Sequence, residues 1–408
     1  MQTNLADFIK DTPQGKEADA ILRACVHCGF CTATCPTYQI LGDELDGPRG
    51  RIYMIKQVLE GVEPTKKTQQ HLDRCLTCRN CESTCPSGVQ YGRLIDIGRN
   101  VVEEKVGRTL VERAARGALR KGLLSKKLFS AGMALGRAAR PLLPKALKSK
   151  VQPLRAQGMW PDSQHARTMI VLDNCVQNAM APAIDFAAAR VLDKAGVTLK
   201  WVSAGGCCGA LSHHMNAHEE AAEKVRANID AWWPLIEGGA EAIVGTASGC
   251  SVMLKDYGHF MQHDAVYADK AAKIAALSKD VSEVIVAEWP NIKSMLKPSN
   301  EKIAYHPPCT MQHGMKLKGG VETMLKDMGY SLAPVADSHL CCGSAGTYSV
   351  LQSTISNELK ARKVASLTAD GPAQIATSNI GCMTHIQSGT TLPVKHWIEL
   401  LDERLGSM

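Results

Sequence analysis

Eight of the sixteen cysteines in this 408-residue chain fall in two copies of one spacing. Cys25-Val-His-Cys28-Gly-Phe-Cys31-Thr-Ala-Thr-Cys35-Pro36 reads C-x2-C-x2-C-x3-C-P, and Cys75-Leu-Thr-Cys78-Arg-Asn-Cys81-Glu-Ser-Thr-Cys85-Pro86 repeats it. Three closely spaced thiolates can wrap one corner of a cubane, with N–H groups of the turns aimed at its sulfurs. The fourth cysteine lies beyond a short turn that the proline stops. In two-cluster proteins this fourth cysteine ligates the other cluster. The spacing therefore predicts two [4Fe–4S] clusters with crossed ligands. One takes Cys25, Cys28, Cys31 and Cys85, and the other takes Cys75, Cys78, Cys81 and Cys35. Crossing would hold the clusters close together, as an electron relay needs. Structural zinc is the plain alternative, but zinc sites pair C-x2-C units and have no use for an eight-cysteine pattern.

The other eight cysteines form a second, duplicated pattern. Cys175 and Cys309 are 134 residues apart, and so are Cys207-Cys208-Gly209 and Cys341-Cys342-Gly343. Gly249-Cys250 answers Gly381-Cys382, the cysteines being offset by 132. Four cysteines recurring in one order at near-constant offset indicate a tandem duplication. Ligand sites in open α/β sheets lie beyond the carboxyl ends of strands. Cys175, Cys250, Cys309 and Cys382 each follow a β-rich run: Met169–Leu172, Ala242–Val244, Lys302–Tyr305 and Gln374–Thr377. Each half should thus gather four thiols at one sheet edge. Three readings stand open: a cluster in one or both halves, cysteines acting as small buried apolar residues, or a Cys207–Cys208 disulfide, which a reducing compartment disfavours. Gly205, Gly206 and Gly209 would let the backbone come close to a cluster; the second half offers Gly343 and Gly346. His306, His313, His339 and His385 lie near the second set. Each reads as a structural histidine, a fourth ligand or a proton carrier.

The elements that must position these thiols divide into regions. The length suggests two or three domains. Residues 1–105 carry the ferredoxin-type motifs, with helices expected at Gly50–Gly61 and Leu94–Val106. Residues 106–165 are a basic helical linker. Residues 166–298 and 299–408 are the two halves, with helices expected at Pro182–Gly196 and Ala217–Gly238. The class is α+β multidomain: an α-helical ferredoxin domain, a helical linker and tandem α/β halves. No run of 18 apolar residues occurs, which argues against a spanning helix. The Met1–Lys16 segment has no apolar core of a signal peptide, so a cytoplasmic location is expected.

The net charge of +7 is unevenly placed. Between Arg108 and Arg155 there are thirteen Lys/Arg and one acid, Glu112, a net of +12; the remainder carries −5. Leu119, Leu123, Leu124, Leu128 and Phe129 can form an apolar stripe, ringed by Arg120, Lys121, Lys126 and Lys127. Such helices suit an anionic membrane surface or a partner subunit. No nucleic-acid-binding module accompanies the charge, and nucleic acid is not expected as a partner.

Several resemblances rest on these residues. The 50-residue offset of the first motifs, with Gly47-Pro-Arg-Gly-Arg51 between them, resembles the α-helical ferredoxin domain of succinate dehydrogenase-type iron–sulfur subunits. Arg49 and Arg51 read there either as a solvated helix start or as cations offsetting reduced-cluster charge. The duplicated halves resemble the CCG domains of heterodisulfide reductase B-type subunits. Those end in C-x2-C; here Met253 and His385 stand at the last position, which counts against a five-cysteine cluster. Over nearly its whole length the chain resembles the iron–sulfur subunits of bacterial glycolate dehydrogenases (glycolate oxidases). Arg23-Ala-Cys-Val-His-Cys-Gly-Phe-Cys31, Asp46-Gly-Pro-Arg-Gly-Arg-Ile-Tyr53 and Ser338-His-Leu-Cys-Cys-Gly-Ser-Ala-Gly-Thr347 carry that likeness.

The resemblance implies a subunit of a complex whose flavoprotein partners carry FAD and oxidise glycolate to glyoxylate. Electrons would pass through this chain towards quinone, on the inner face of the cytoplasmic membrane. The chain shows no G-x-G-x-x-G fingerprint, in keeping with flavin on the partners, and it should be inactive alone. The alternatives are a subunit of anaerobic glycerol-3-phosphate or D-lactate dehydrogenase, a heterodisulfide-type reductase subunit, and a scaffold that binds iron only structurally.

Overall fold

The computed structural model describes residues 1–144, 148 and 151–406. Lys145 and Lys150 of the basic segment, and residues 407 and 408, lie outside the described residues.

The N-terminal region is helical. Pro13–Ala24, Pro48–Leu59, Lys66–Asp73 and Tyr91–Val106 surround a core that includes Leu22, Ile55, Leu59, Leu72, Leu94 and Ile95. Thr12 starts the first helix by accepting from the Gly15 N–H at 3.0 Å, and Pro13 costs nothing at a position whose N–H would be unpaired. The helices expected from Gly50 and Leu94 begin a turn or less earlier, at Pro48 and Tyr91. They meet at Gly98, where a Cβ would stand 2.5 Å from Ile55 Cγ1. Only glycine permits that approach.

Two helices follow in the basic segment. Leu110–Leu124 starts on a capping box of Thr109 and Glu112, and Lys126–Ala138 on the Ser125 hydroxyl. The expected amphipathic stripe is only partly free. Leu124 packs on the core of the first half. Arg120 pairs with Glu220 at 3.1 Å, and Lys126 pairs with Asp173. Two of the four cations expected to face a lipid surface therefore face the chain itself. Lys121 and Lys127 stay exposed, together with Leu128 and Leu135.

Each half contains one four-stranded parallel sheet. The first has β1 (Arg167–Val171), β2 (Val197–Trp201), β3 (Ile243–Gly245) and β4 (Ser278–Asp280) in the order β2-β1-β3-β4. The second has β5 (Lys302–His306), β6 (Ser331–Leu332), β7 (Gln374–Thr377) and β8 (Val394–His396) in the order β6-β5-β7-β8. The orders are the same, as a duplication requires. The apolar residues of the central strands, among them Ile170, Val171, Ile243, Ile303, Ala304 and Ile375, are buried because helices cover both faces of a parallel sheet. Helices Ala183–Lys194 and His218–Glu237 fall within two residues of expectation. The halves share one core, in which Ile184 and Val191 join Ile303, Trp397 and Leu401. Arg190 Nη2 reaches Asp402 Oδ2 at 2.5 Å across that join. Helical ferredoxin-type region, basic helices and two α/β halves together make an α+β multidomain protein.

Candidate functional site: four groups of thiols

The first motif's thiols gather with the distant fourth cysteine of the second. Burial raises the Cys25 thiol, and Cys85 and Cys28 are close enough to add repulsion. Burial pushes Cys31 up to about 11, with Cys25, Cys85 and Cys28 adding to it. In the other group, burial raises Cys81 well above an ordinary thiol, reinforced by Cys78, Cys75 and Cys35. The thiols thus lie in two groups, Cys25, Cys28, Cys31 and Cys85 in one and Cys75, Cys78, Cys81 and Cys35 in the other. Four neighbouring thiolates repel one another unless a cation sits among them, which is the electrostatic condition an iron–sulfur cluster meets.

The turns are built alike. His27 and Gly29 have φ of 58° and 86°, and Thr77 and Arg79, one motif later, have 51° and 59°. A β-branched residue in the left-handed region is strained, by about 1–2 kcal/mol. At Thr77 that strain aims the backbone N–H at Cys75 Sγ, 3.4 Å away. Beside this group lies Arg51, 1% exposed. Its Nη1 donates to Thr37 Oγ1 at 3.1 Å, and that hydroxyl touches Cys35 Sγ at 3.2 Å. Burial opposes the Arg51 charge, but Tyr91, Cys75, Cys35 and Asp46 outweigh it. The solvated reading fails for Arg51. It holds for Arg49, about 39% exposed in its side chain and paired with Glu44 at 2.6 Å.

The two halves present their thiols at equivalent strand ends. Cys175 follows β1, Cys207 and Cys208 follow β2, and Cys250 sits in the first turn of Ser248–Phe260 after β3. Cys309, Cys341, Cys342 and Cys382 repeat this after β5, β6 and β7. Each quartet forms a chain of neighbours. In the first, hydrogen bonds from Cys175 and Cys208 hold Cys207 well below an ordinary thiol, while both donors are raised. In the second, Cys309 Sγ lies 3.9 Å from Cys341 Sγ, and Cys342 contacts Cys382. All sixteen cysteines are free, so the Cys207–Cys208 disulfide is not formed.

Gly209 and Gly343 turn the chain at φ of 89° and 88°. A Cβ on Gly343 would meet Ser356 O at 2.6 Å, and one on Gly209 would meet Ala221 O at 3.2 Å. These glycines bring the thiol loop against its own following helix. Gly205 likewise faces Trp232, and the nearest atom to Gly206 is Lys126 Nζ. The close approach expected at these glycines is thus to protein, and Gly346 has nothing within 4 Å. Met253 is buried in the first-half core. His385 contacts Ser356 Oγ at 3.2 Å. His313 bonds Ser83 Oγ and His339 O, both at 2.9 Å, and serves the join to the N-terminal region. His306 alone of the four is grouped with thiols, those of Cys342 and Cys382.

One cavity of about 1410 Å³ lies between the regions, lined by all eight cysteines of the halves and by Cys75 and Cys78. The helices bearing Cys250 and Cys382 start against each other: Asn379 Nδ2 donates to Ser248 Oγ at 3.1 Å. The second half also abuts the N-terminal thiols directly. Leu76, Cys341, Tyr348, Ile355 and Leu359 form a small apolar core, against which Cys78 and Cys309 pack. Tyr348 Oη donates to Arg74 O at 2.9 Å.

A cluster the motifs did not single out is Asp96, His213 and His214, on the same cavity. Asp96 is held at about 2: burial opposes this, and the hydrogen bond with His213 leads the groups that overcome it. Burial takes His214 down to about 4. Three histidines within six residues, His213 to His218, were the available signal.

Comparison with known proteins agrees with this geometry. Residues 21–89 match the 4Fe-4S dicluster domain, and residues 169–255 and 303–387 match the cysteine-rich domain. The glycolate oxidase iron-sulfur subunit of Escherichia coli (strain K12) is 50% identical over 407 residues, covering 99% of each chain. The chain belongs to that family. The probable glycolate oxidase iron-sulfur subunit of Bacillus subtilis (strain 168) is 27% identical, over 90% of this chain and 88% of its own. Lactate utilization protein A of an Exiguobacterium species is 26% identical over 56% of this chain and 94% of its own. The family likeness to glycolate oxidase subunits thus spans all regions, including the N-terminal motifs. It identifies the chain as an iron–sulfur electron-transfer subunit of the glycolate oxidase kind, carrying iron–sulfur clusters.

Proposed function

We propose that this chain relays electrons from glycolate, oxidised to glyoxylate on FAD-bearing flavoprotein partners, towards quinone. The chain itself is inactive without those partners. Two [4Fe–4S] clusters sit on Cys25, Cys28, Cys31, Cys85 and on Cys75, Cys78, Cys81, Cys35. A further cluster is held among the cysteines of the halves. The supporting observation is the packing of Cys78 against Cys309 and the Cys341 core, which joins the second N-terminal group to the second half without intervening structure. The opposite end supplies an entry point. Cys28 is the one exposed thiol of the sixteen, flanked by Val26 and Phe30, which are 69% and 62% exposed. A partner's apolar surface would cover these side chains and bring its flavin to the first cluster.

The complex is peripheral on the inner face of the cytoplasmic membrane in this reading. Among the described residues no helix is long and apolar enough to cross a membrane. The exposed Lys121, Lys127, Leu128 and Leu135 supply a basic, apolar edge for anionic lipid. The test is anaerobic co-purification with the flavoprotein partners, then iron and flavin counting and glycolate addition. Glycolate should bleach the cluster absorbance of the complex and leave this chain alone unchanged. Glycolate oxidation by the isolated chain, or clusters that stay oxidised in the complex, would overturn the relay.

A further inference from the structure

His306 is completely buried, and neither ring nitrogen has a hydrogen-bond partner. A buried polar group without a partner forfeits the hydrogen bonds it made with water. Native interiors seldom carry one without a use for it. The position is not loose. His306 ends β5 in register with Thr377 of β7, whose hydroxyl donates to the His306 carbonyl at 2.8 Å.

A ring nitrogen of His306 and the sulfurs of Cys342 and Cys382 lie within 4.8 Å of one another. Bonds of about 2.0–2.3 Å to a tetrahedral metal set ligand atoms roughly 3.5–4 Å apart, so a small inward movement completes the set. Resting on the reading that the halves bind iron–sulfur, we propose that the second half holds an iron centre with His306 as a ligand beside Cys342 and Cys382, a ligand the first half lacks. The offset of 134 that pairs Cys175 with Cys309 pairs His306 with Leu172, an apolar residue with no exposure. The halves share a topology but not this donor.

Two neighbours fit the assignment. The place of the missing last cysteine is taken by His385, which is engaged with Ser356 Oγ at 3.2 Å. The imidazole at the strand end supplies a donor from another direction. Lys363, 3% exposed, places a cation close to Cys342, Cys341 and Cys382, its Nζ tethered to Asp337 O at 2.7 Å. A buried ammonium offsets the charge of thiolates and cluster. Imidazole in place of thiolate removes one negative charge and raises the reduction potential of iron–sulfur centres. The second half would therefore be the electron-accepting end of the chain.

The test uses the full chain, purified anaerobically with ¹⁵N-labelled histidine and reduced with dithionite. Pulsed electron paramagnetic resonance should show a strongly coupled ¹⁵N. The coupling should vanish in His306→Leu and persist in His313→Gln. His306→Cys should keep the iron, lose the nitrogen coupling and shift that centre to a lower potential. Coupling that survives His306→Leu overturns the proposal. So does its absence from wild-type protein, whether Cys342→Ser removes iron or leaves the content unchanged, and so does stoichiometric zinc at the site. In those cases the signals of the eight N-terminal cysteines remain and the relay stands. If those signals are missing as well, the underlying functional reading fails with it.

Discussion

Arg51 Nη2 stands 3.3 Å from Asp46 Oδ1, with one side chain 1% exposed and the other 0%. Arg74 closes the second carboxylate oxygen at 2.8 Å, and Arg51 Nε holds the carbonyl of His71 at 2.8 Å. Through Arg74 and the His71 carbonyl, this pair ties the segment after Cys35 to the end of the helix before Cys75, on either side of one thiol group. Breaking a buried pair costs up to roughly 3–5 kcal/mol, and Arg74, which still pairs with Asp46 when Arg51 is removed, keeps the Arg51 loss below that limit. Arg51→Leu should lower the midpoint for thermal loss of cluster absorbance substantially. The Asp46→Leu/Arg51→Leu double variant should lose less than the two single losses combined. Additive losses would show that the pair does not couple.

The crossed grouping predicts which cluster a single substitution disturbs. Cys35 is in the first motif by sequence but sits among Cys75, Cys78 and Cys81. Cys35→Ser should alter the electron paramagnetic resonance signal of that second group and spare the one on Cys25, Cys28, Cys31 and Cys85. A change confined to the Cys25 group would contradict the arrangement.

The strands show where sequence was legible. Met169–Leu172, Ala242–Val244, Lys302–Tyr305 and Gln374–Thr377 became β1, β3, β5 and β7, the four central strands. The edge strands β2, β4, β6 and β8 carry no comparable apolar run: Ser278–Asp280 is Ser-Lys-Asp, and β6 is two residues long. An edge strand pairs on one side only and is free to be short and polar, so composition hides it. The thiol quartets were readable for a different reason, since metal-ligand spacing survives in local sequence. Contacts that join distant elements were not readable. Nothing near Leu76 announces that it packs with Cys341, or near Arg120 that it pairs with Glu220. The burial of Arg51 and Lys363 was equally hidden, because charged residues read as surface until their partners are known.

Asp185 gives a pH dependence of known direction. It is buried in the first half, where burial raises its carboxyl to about 7 against bonds donated by Thr246 and Gln177. An unfolded aspartate ionises near 3.8. Between those values the folded chain holds a proton that the unfolded chain has lost. The contribution is therefore fully present below about pH 4 and declines as pH rises towards 7, by at most about 1.4 kcal/mol per unit. Urea midpoints measured across that range should fall more steeply with pH in the wild type than in Asp185→Asn. Parallel curves would show that Asp185 titrates normally.

The basic helices separate lipid docking from internal packing. Arg120 and Lys126 are engaged with Glu220 and Asp173, whereas Lys121 and Lys127 are exposed. Exposed charges act over a screening length of about 10 Å at 0.1 M salt, so attraction to anionic lipid weakens as salt rises. Lys121→Gln/Lys127→Gln should release the complex from anionic vesicles at lower salt than the wild type. It should reduce quinone-coupled glycolate oxidation and leave activity with a soluble dye acceptor nearly intact, because the dye needs no lipid surface. Arg120→Gln/Lys126→Gln should behave differently. It removes two contacts between the helices and the first half, so it should lower thermal stability and depress both activities together. If the exposed pair instead lowers both activities while the complex stays on the vesicles, the segment meets a partner subunit and not lipid.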